Sequence, residues 1–198
     1  MKRLKAVVMV GLLGVSSLGY ANDIYVEQVG SSSTVTITQQ GTGNTVGNST
    51  DSIYIGSGSN TVSIDQIGDS NTLAMVVNGS SANTTVVTTG SGNTQTINCG
   101  TTVSAGCSGS TITQTVTGDD NIITQNLGAG ANHTSNITVT GDTNTVTHTS
   151  TATGTTSMNA TISGNLNTVG VTQSGMTVQN VTINSTGNSN SITVNQSN

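Results

Sequence analysis

The tetrapeptide Gly-x-x-Asn opens at Gly118, Gly141, Gly164 and Gly187, an unbroken spacing of 23 residues, and earlier at Gly41, Gly68 and Gly90 with spacings of 27, 22 and 28. Each copy closes on an asparagine: Asn44, Asn71, Asn93, Asn121, Asn144, Asn167 and Asn190. A turn that returns at this period belongs to a stack of similar coils, none able to bury an apolar face alone, so fold and function have to be sought in the stack. Glycine suits the positive φ of a sharp reversal. Asparagine tolerates that conformation and can direct its amide at a neighbour's backbone.

Both flanks of each turn alternate apolar and polar residues, the mark of a strand with one buried face. After the turn the alternate slots read Asn167, Val169, Val171, Gln173, or Asn190, Ile192, Val194, Gln196; before it they read Asn60, Val62, Ile64, Gln66. This phase predicts strand pairs at 33–39 with 44–50, 60–66 with 71–77, 82–88 with 93–99, 110–116 with 121–127, 133–139 with 144–150, 156–162 with 167–173 and 179–185 with 190–196. One extra strand precedes them at Asn22, Ile24, Val26 and Gln28. Two strands and two turns per coil are too few for a three-sided helix. The expected fold is all-β, a flattened β-solenoid of strand-turn-strand repeats in which two parallel sheets face each other across a thin core. Stacked copies should align like side chains into amide ladders, Gln28, Gln39, Gln66, Gln173 and Gln196 among them. Extra residues around 51–56 and 99–109 are expected to bulge out of the stack, the second as a cysteine-containing loop.

The first 21 residues have the parts of a secretory signal: Lys2, Arg3 and Lys5, the apolar run from Ala6 to Val15, then small residues leading to Ala21. The predicted division is therefore a signal peptide at 1–21 and a repeat domain of about seven coils at 22–198, secreted and without membrane insertion, the apolar run being too short for a span. Those three basic residues are the only Lys and Arg in the chain, against eight Asp and Glu. A processed chain with no cation cannot neutralise phosphates, which argues against nucleic acid or anionic lipid as partner. With Tyr25 and Tyr54 as its only aromatics, it also lacks stacking platforms for bases or sugars.

On these residues the chain resembles the curli family of bacterial functional amyloids, whose repeat reads Ser-x5-Gln-x-Gly-x-Gly-Asn-x5-Gln. Ser33, Gln39, Gly41, Gly43 and Asn44 match in order, with Thr50 at the final Gln; the next copy matches through Asn60, Gln66, Gly68 and Asn71; Gln173 and Gln196 supply the terminal Gln of the last two. Departures are regular too: Thr88, Val116, Val139, Ile162 and Ser185 replace the first Gln, and Val77, Cys99, Leu127 and Ser150 the second. The Gly-rich amino-terminal targeting segment of the major curli subunit is absent. The resemblance implies a fibre-forming subunit of biofilm matrix and adhesion, exported through an outer-membrane secretion pore and nucleated by a related subunit.

The repeat runs from Asn22 to Gln196 with no coil of capping character, so both ends are expected to offer unpaired edges in the register of the repeat, best filled by another copy. Other features carry less. Cys99 and Cys107 could close a local disulfide, bridge two chains or stay free. Asp69, Asp119, Asp120 and Asp142 occupy turns, either as solvated groups or as bridges for calcium. No cofactor is expected. His133 and His148 fall on inward slots with no convincing triad partner, and the chain is not expected to be an enzyme. Outward Thr111, Thr113, Thr115, Thr145, Thr147 and Thr149 leave a monomeric binding module, an adhesin or ice binder, as the other reading.

Overall fold

A computed structural model describes residues 8–12, 21–28, 33–47, 53–56, 58–77, 82–99, 107–128 and 132–197. Every regular element among them is a strand. In chain order the first six are β1 (Val8–Leu12), β2 (Asp23–Ile24), β3 (Val26–Gln28), β4 (Thr34–Gln40), β5 (Thr45–Val46) and β6 (Ile53–Ile55). Then follow β7 (Thr61–Ile67), β8 (Thr72–Val77), β9 (Asn83–Thr89), β10 (Thr94–Cys99), β11 (Thr111–Thr117) and β12 (Ile122–Leu127). The last six are β13 (His133–Thr140), β14 (Thr145–Ser150), β15 (Thr156–Ser163), β16 (Thr168–Ser174), β17 (Gln179–Thr186) and β18 (Ser191–Ser197).

The strands build two parallel sheets in a β-solenoid. Sheet A is 8-stranded in the order β1-β4-β7-β9-β11-β13-β15-β17, and sheet B is 10-stranded, from β18 through β16, β14, β12, β10 and β8 to β5 and β2, with β6 and β3 alongside. Each Gly-x-x-Asn arc carries the chain from sheet A to sheet B. Register follows the turns without slip: Thr111 lies opposite Thr134, Thr145 opposite Thr168 and Thr168 opposite Ser191. A one-residue slip would exchange the buried and exposed faces of a strand, so the period-two pattern itself pins the register.

Side chains alternate accordingly. Along β7 the inward Val62, Ile64 and Gln66 are buried, and along β11 Ile112, Gln114 and Val116, while Thr61, Thr111 and Thr117 face outward. Two apolar clusters fill the space between the sheets. One contains Val35, Ile37, Ile64, Leu73 and Ile97; the other contains Ile123, Ile137, Met158, Val169 and Ile183. β-branched residues dominate both, as suits a pleated surface packed on one side.

The structure departs from the sequence phase at one rung. The strand expected at 44–50 is split into β5 and β6, and Ile53 and Ile55, placed by the sequence in a bulge, are fully buried in the core. The apolar phase explains the difference. Continuing through Asn48 and Thr50 would offer polar groups to the inward slots, whereas Ile53 and Ile55 each gain roughly 1.5–3 kcal/mol by burial there. The extra strand ahead is divided at the same point by Tyr25, whose carbonyl accepts from the Ile53 amide at 2.9 Å. Thr50 and residues 48–52 lie outside the described residues.

The signal-peptide segment is described only at β1, which pairs in parallel with β4, Val8 opposite Val35 and Leu12 opposite Gln39. The remainder of 1–20 lies outside the described residues, as do 100–106 of the expected cysteine loop. That loop begins later than expected, because Cys99 is the last residue of β10. Cys107 is buried and disulfide-bonded, and Cys99 is the only other cysteine of the chain.

Candidate functional site

The turn edge holds the most regular chemistry in the molecule. Gly41, Gly68, Gly90, Gly118, Gly141, Gly164 and Gly187 all have φ between 109° and 130°, a region that only glycine enters without strain. Space imposes the same choice: a Cβ on Gly141 would sit 2.2 Å from the carbonyl oxygen of Gly164, one coil on. The third residue of each arc is left-handed, for example Ser70, Asp120, Thr143 and Leu166 at φ 55–59°. Asparagine therefore does not supply the positive φ expected of it; the residue before it does. Its own contribution is the side chain.

That side chain forms one column along the stack. Asn71, Asn93, Asn121, Asn144, Asn167 and Asn190 each donate Nδ2 to the Oδ1 of the preceding asparagine at 2.9–3.1 Å. Each also donates its backbone N–H to that same Oδ1 at 2.9–3.1 Å. In Asn44, Asn71, Asn93 and Asn121 Nδ2 also reaches forward to a turn carbonyl, as from Asn44 to Gly68 at 2.7 Å and from Asn121 to Gly141 at 2.8 Å. The column begins at Asn22, whose Oδ1 accepts the Asn44 amide at 2.9 Å. Buried amides are thus saturated by copies of themselves.

A second column, not anticipated from the sequence, stands at the residue after the glycine. The Oδ1 atoms of Asp69, Asp119, Asp142, Asn165 and Asn188 accept backbone N–H groups of Thr42, Ser91, Asp119, Asp142 and Asn165 at 2.7–2.9 Å. The signal was present as Asp or Asn recurring at that position. Because its partner lies one coil away, the sequence suggests only a solvated charge or a calcium bridge there. Among the described residues no group of three or more His, Cys, Asp or Glu side chains could hold a metal ion.

Of the glutamines expected in amide ladders, four pair between stacked coils, as two separate rungs. Gln39 donates to Gln66 at 2.9 Å, and Gln173 donates to Gln196 at 3.1 Å. The two pairs belong to different sheets, and Thr88 and Ser150 respectively occupy the next slots. Gln28 is registered with Ile55, so no amide follows it in its column. A longer ladder needs like residues in many consecutive coils, and the chain supplies these for Asn but for Gln only in these two pairs.

Three other glutamines do connect, across the core. Gln125 donates to Gln114 at 2.8 Å, Gln114 donates to Gln95 at 2.9 Å, and Gln95 donates to the Thr88 hydroxyl. Next along the stack, His148 makes contacts of 3.2 Å from Nδ1 to Ser135 Oγ and 3.0 Å from Nε2 to Gln173 Oε1. His133 reaches Thr156 Oγ1 at 2.6 Å through Nδ1 and the Gly128 carbonyl at 3.2 Å through Nε2. These groups form a polar band between the two apolar clusters.

In both histidines Nε2 faces a carbonyl oxygen, which assigns the proton to Nε2 and leaves Nδ1 to accept from a hydroxyl. Burial holds both rings neutral. It pushes His148 down to about 4, against the hydrogen bond that the ring donates to Gln173, which raises it, and with His133 lowering it further. His133 is lowered by the same desolvation, opposed by its bond to Gly128. The structure thus brings together a Ser135–His148 pair that the sequence had not paired. A nucleophile and a base in this relation need access for a substrate, and both residues are fully buried.

A hollow of about 170 Å³ lined by Ala74, Met75, Val76, Thr96, Ile97 and Asn98 lies below the roughly 300–1,000 Å³ of small-molecule sites. The repeated surface of the coil, at its edges and along its turn columns, is the candidate site. No protein-family model, curated protein or solved structure matches this chain.

Proposed function

We propose that the chain is a secreted structural subunit that polymerises into extracellular amyloid-like fibres of the curli type, serving biofilm matrix and surface adhesion. One observation carries the reading: the last described coil repeats the chemistry of the interior coils but has a neighbour on one side only. β17 and β18 are edge strands, and Ile192 and Val194, in slots occupied by buried Val169 and Val171 one coil earlier, are half-buried. A Cβ on Gly187 would meet nothing closer than 3.6 Å, whereas a Cβ on Gly164 would lie 2.1 Å from the Gly187 oxygen. An added coil of the same sequence type would bury these side chains and extend both turn columns.

On this reading the protein acts by assembly and not by catalysis, and its partners are further copies, a nucleating subunit and an outer-membrane pore. Neither nucleic acid nor a membrane interior is a partner. The processed chain should assemble after a lag that preformed fibres abolish, giving a meridional reflection near ~4.8 Å. Protein that stays monomeric through prolonged incubation with seeds would sink the proposal. The outward threonines of sheet A favour the second reading, a monomeric adhesin or ice binder: Thr111 and Thr134 are in register, as are Thr117 and Thr140. Thermal hysteresis from monomeric protein would favour it.

A further inference from the structure

Resting on the fibre reading, we propose that the amino-terminal end of the solenoid is a self-complementary step through which two copies join head to head, and that β1 covers this step in the uncleaved chain. The step follows from topology. β2 and β3 pair with β5 and β6, the strands that follow β4 in its coil, so they stand one level beyond β4. On sheet A the corresponding level is filled by β1, which lies inside the expected signal peptide. Without β1, sheet B projects one strand beyond sheet A.

The backbone groups at this step are aligned for pairing. Thr34 donates to Asn60 O at 2.8 Å, and Gln40 O accepts from Gly68 at 2.9 Å. Alternation then turns the N–H and C=O of Val35, Ile37 and Gln39 toward the β1 side. On sheet B, Asp23 donates to Asn44 O at 2.9 Å and Tyr25 to Val46 O at 2.8 Å, which turns Ile24, Val26 and Gln28 toward the same end. In both strands the groups facing outward along the stack belong to the residues whose side chains face the core.

A two-fold axis parallel to the strands places the projecting β2–β3 of one copy on the vacant level above β4 of the other. The two strands of a coil run in opposite directions, so this contact is antiparallel. Val26 opposite Ile37, with Ile24 opposite Gln39 and Gln28 opposite Val35, gives hydrogen-bonded pairs, and the side chains of Ile24, Val26, Val35, Ile37 and Gln39 enter the shared core. Head-to-tail stacking fits less well: β18 on β2–β3 would leave one strand missing between β17 and β4. Adding a strand to an open edge is a general recognition mode, and β1 already shows that the β4 edge accepts one.

The register predicts that Glu27 of one copy lies opposite Thr36 of the other as a non-hydrogen-bonded pair, with Cα atoms roughly 4.5 Å apart, a separation a disulfide can span. Within one copy these residues lie on the outer faces of opposite sheets and cannot bond. The test compares full-length Glu27→Cys/Thr36→Cys with the same chain carrying Met9→Pro. The Met9 N–H faces the Val35 carbonyl in the β1–β4 ladder, so proline there removes a ladder bond and drives β1 from the β4 edge. After oxidation, disulfide-linked dimers are expected in the Met9→Pro chain and monomer in its parent. Absence of linked dimers from a Met9→Pro chain whose circular dichroism remains that of a β-protein overturns the proposal, as does equal linkage in both. Glu27→Cys/Asn195→Cys in the Met9→Pro background reports head-to-tail contact, and linkage there alone also overturns it. Dimers linked through Glu27→Cys/Thr36→Cys that never become fibres would support the step and count against the fibre reading; fibres linked only through Glu27→Cys/Asn195→Cys would do the reverse.

Discussion

The asparagine column on the turn edge and the glutamine–histidine band in the core are both buried, both amide-rich and both run along the stack, yet only the first is a ladder. In the column each Oδ1 accepts two bonds from the next asparagine. In the band the partners are unlike, and Gln125 Oε1 is buried without a hydrogen-bond partner. Repetition makes the difference. A side chain that donates forward and accepts backward is saturated by a copy of itself one layer away, at any stack height. A residue that occurs in one or two coils must find whatever its neighbours offer, and some of its capacity is left over.

The comparison is broken most severely at the glycine that lets the column close. Gly141→Ala is expected to cost about 4 kcal/mol or more, because it combines a φ that alanine resists with a Cβ pressed into backbone that cannot move without parting two coils. Urea unfolding should show either a collapse of the midpoint or no folded baseline. Within the column itself, Asn144→Ala removes the donor to Asn121 and leaves the N–H and Nδ2 of Asn167 without their acceptor. Two buried donors at roughly 1–3 kcal/mol each suggest a loss of about 3–4 kcal/mol. An unchanged midpoint would mean that the column is an ornament of the stack and not a support.

Acid tests the band. His148 is held near 4 in the folded chain and takes the ordinary value of about 6.5 when unfolded, so between these limits the unfolded state binds the extra proton. Stability contributed by the neutral ring is complete above about 6.5 and is lost as pH falls toward 4, on the order of 3 kcal/mol in total. His133 adds to the loss in the same direction. The pH dependence of the unfolding free energy should flatten over this window in His148→Gln. A wild-type profile already flat there would contradict the buried neutral pair.

The sequence carries the column far more openly than the band, for the same physical reason. Gly-x-x-Asn at a fixed period announces a turn, an alternating strand on each side and the register between coils, and nearly every strand falls within one residue of that phase. The asparagine's partner is another asparagine at the same place in the pattern, so it can be inferred by counting. Gln95, Gln114 and Gln125 occupy different slots on different sheets, and their connection exists only once the sheets face each other. Ser135 and His148 are likewise 13 residues apart on opposing strands. The split of the 44–50 strand escaped because insertion length shows in the spacing but the point of insertion does not. Only the apolar Ile53 and Ile55, two residues apart, hinted that the rung resumes after the interruption.

Smaller substitutions separate repetition from burial as the source of stability. Gln125→Leu removes an amide whose Oε1 is already unpartnered and strands only the Oε1 of Gln114. The gain from an apolar side chain offsets most of that loss, and a change within about 1 kcal/mol is expected. Gly170→Ala sharpens the contrast further. Gly170 lies in β16 with nothing within 4 Å of an added Cβ and no positive φ, so alanine there should stabilise the fold by about 0.4–1 kcal/mol through the unfolded chain. The two glycine substitutions add the same methyl group to one protein, and their opposite signs would assign the cost at Gly141 to the closure between coils. If Gly170→Ala were as damaging as Gly141→Ala, the sheet faces and not the turn columns would be the rigid part of the stack.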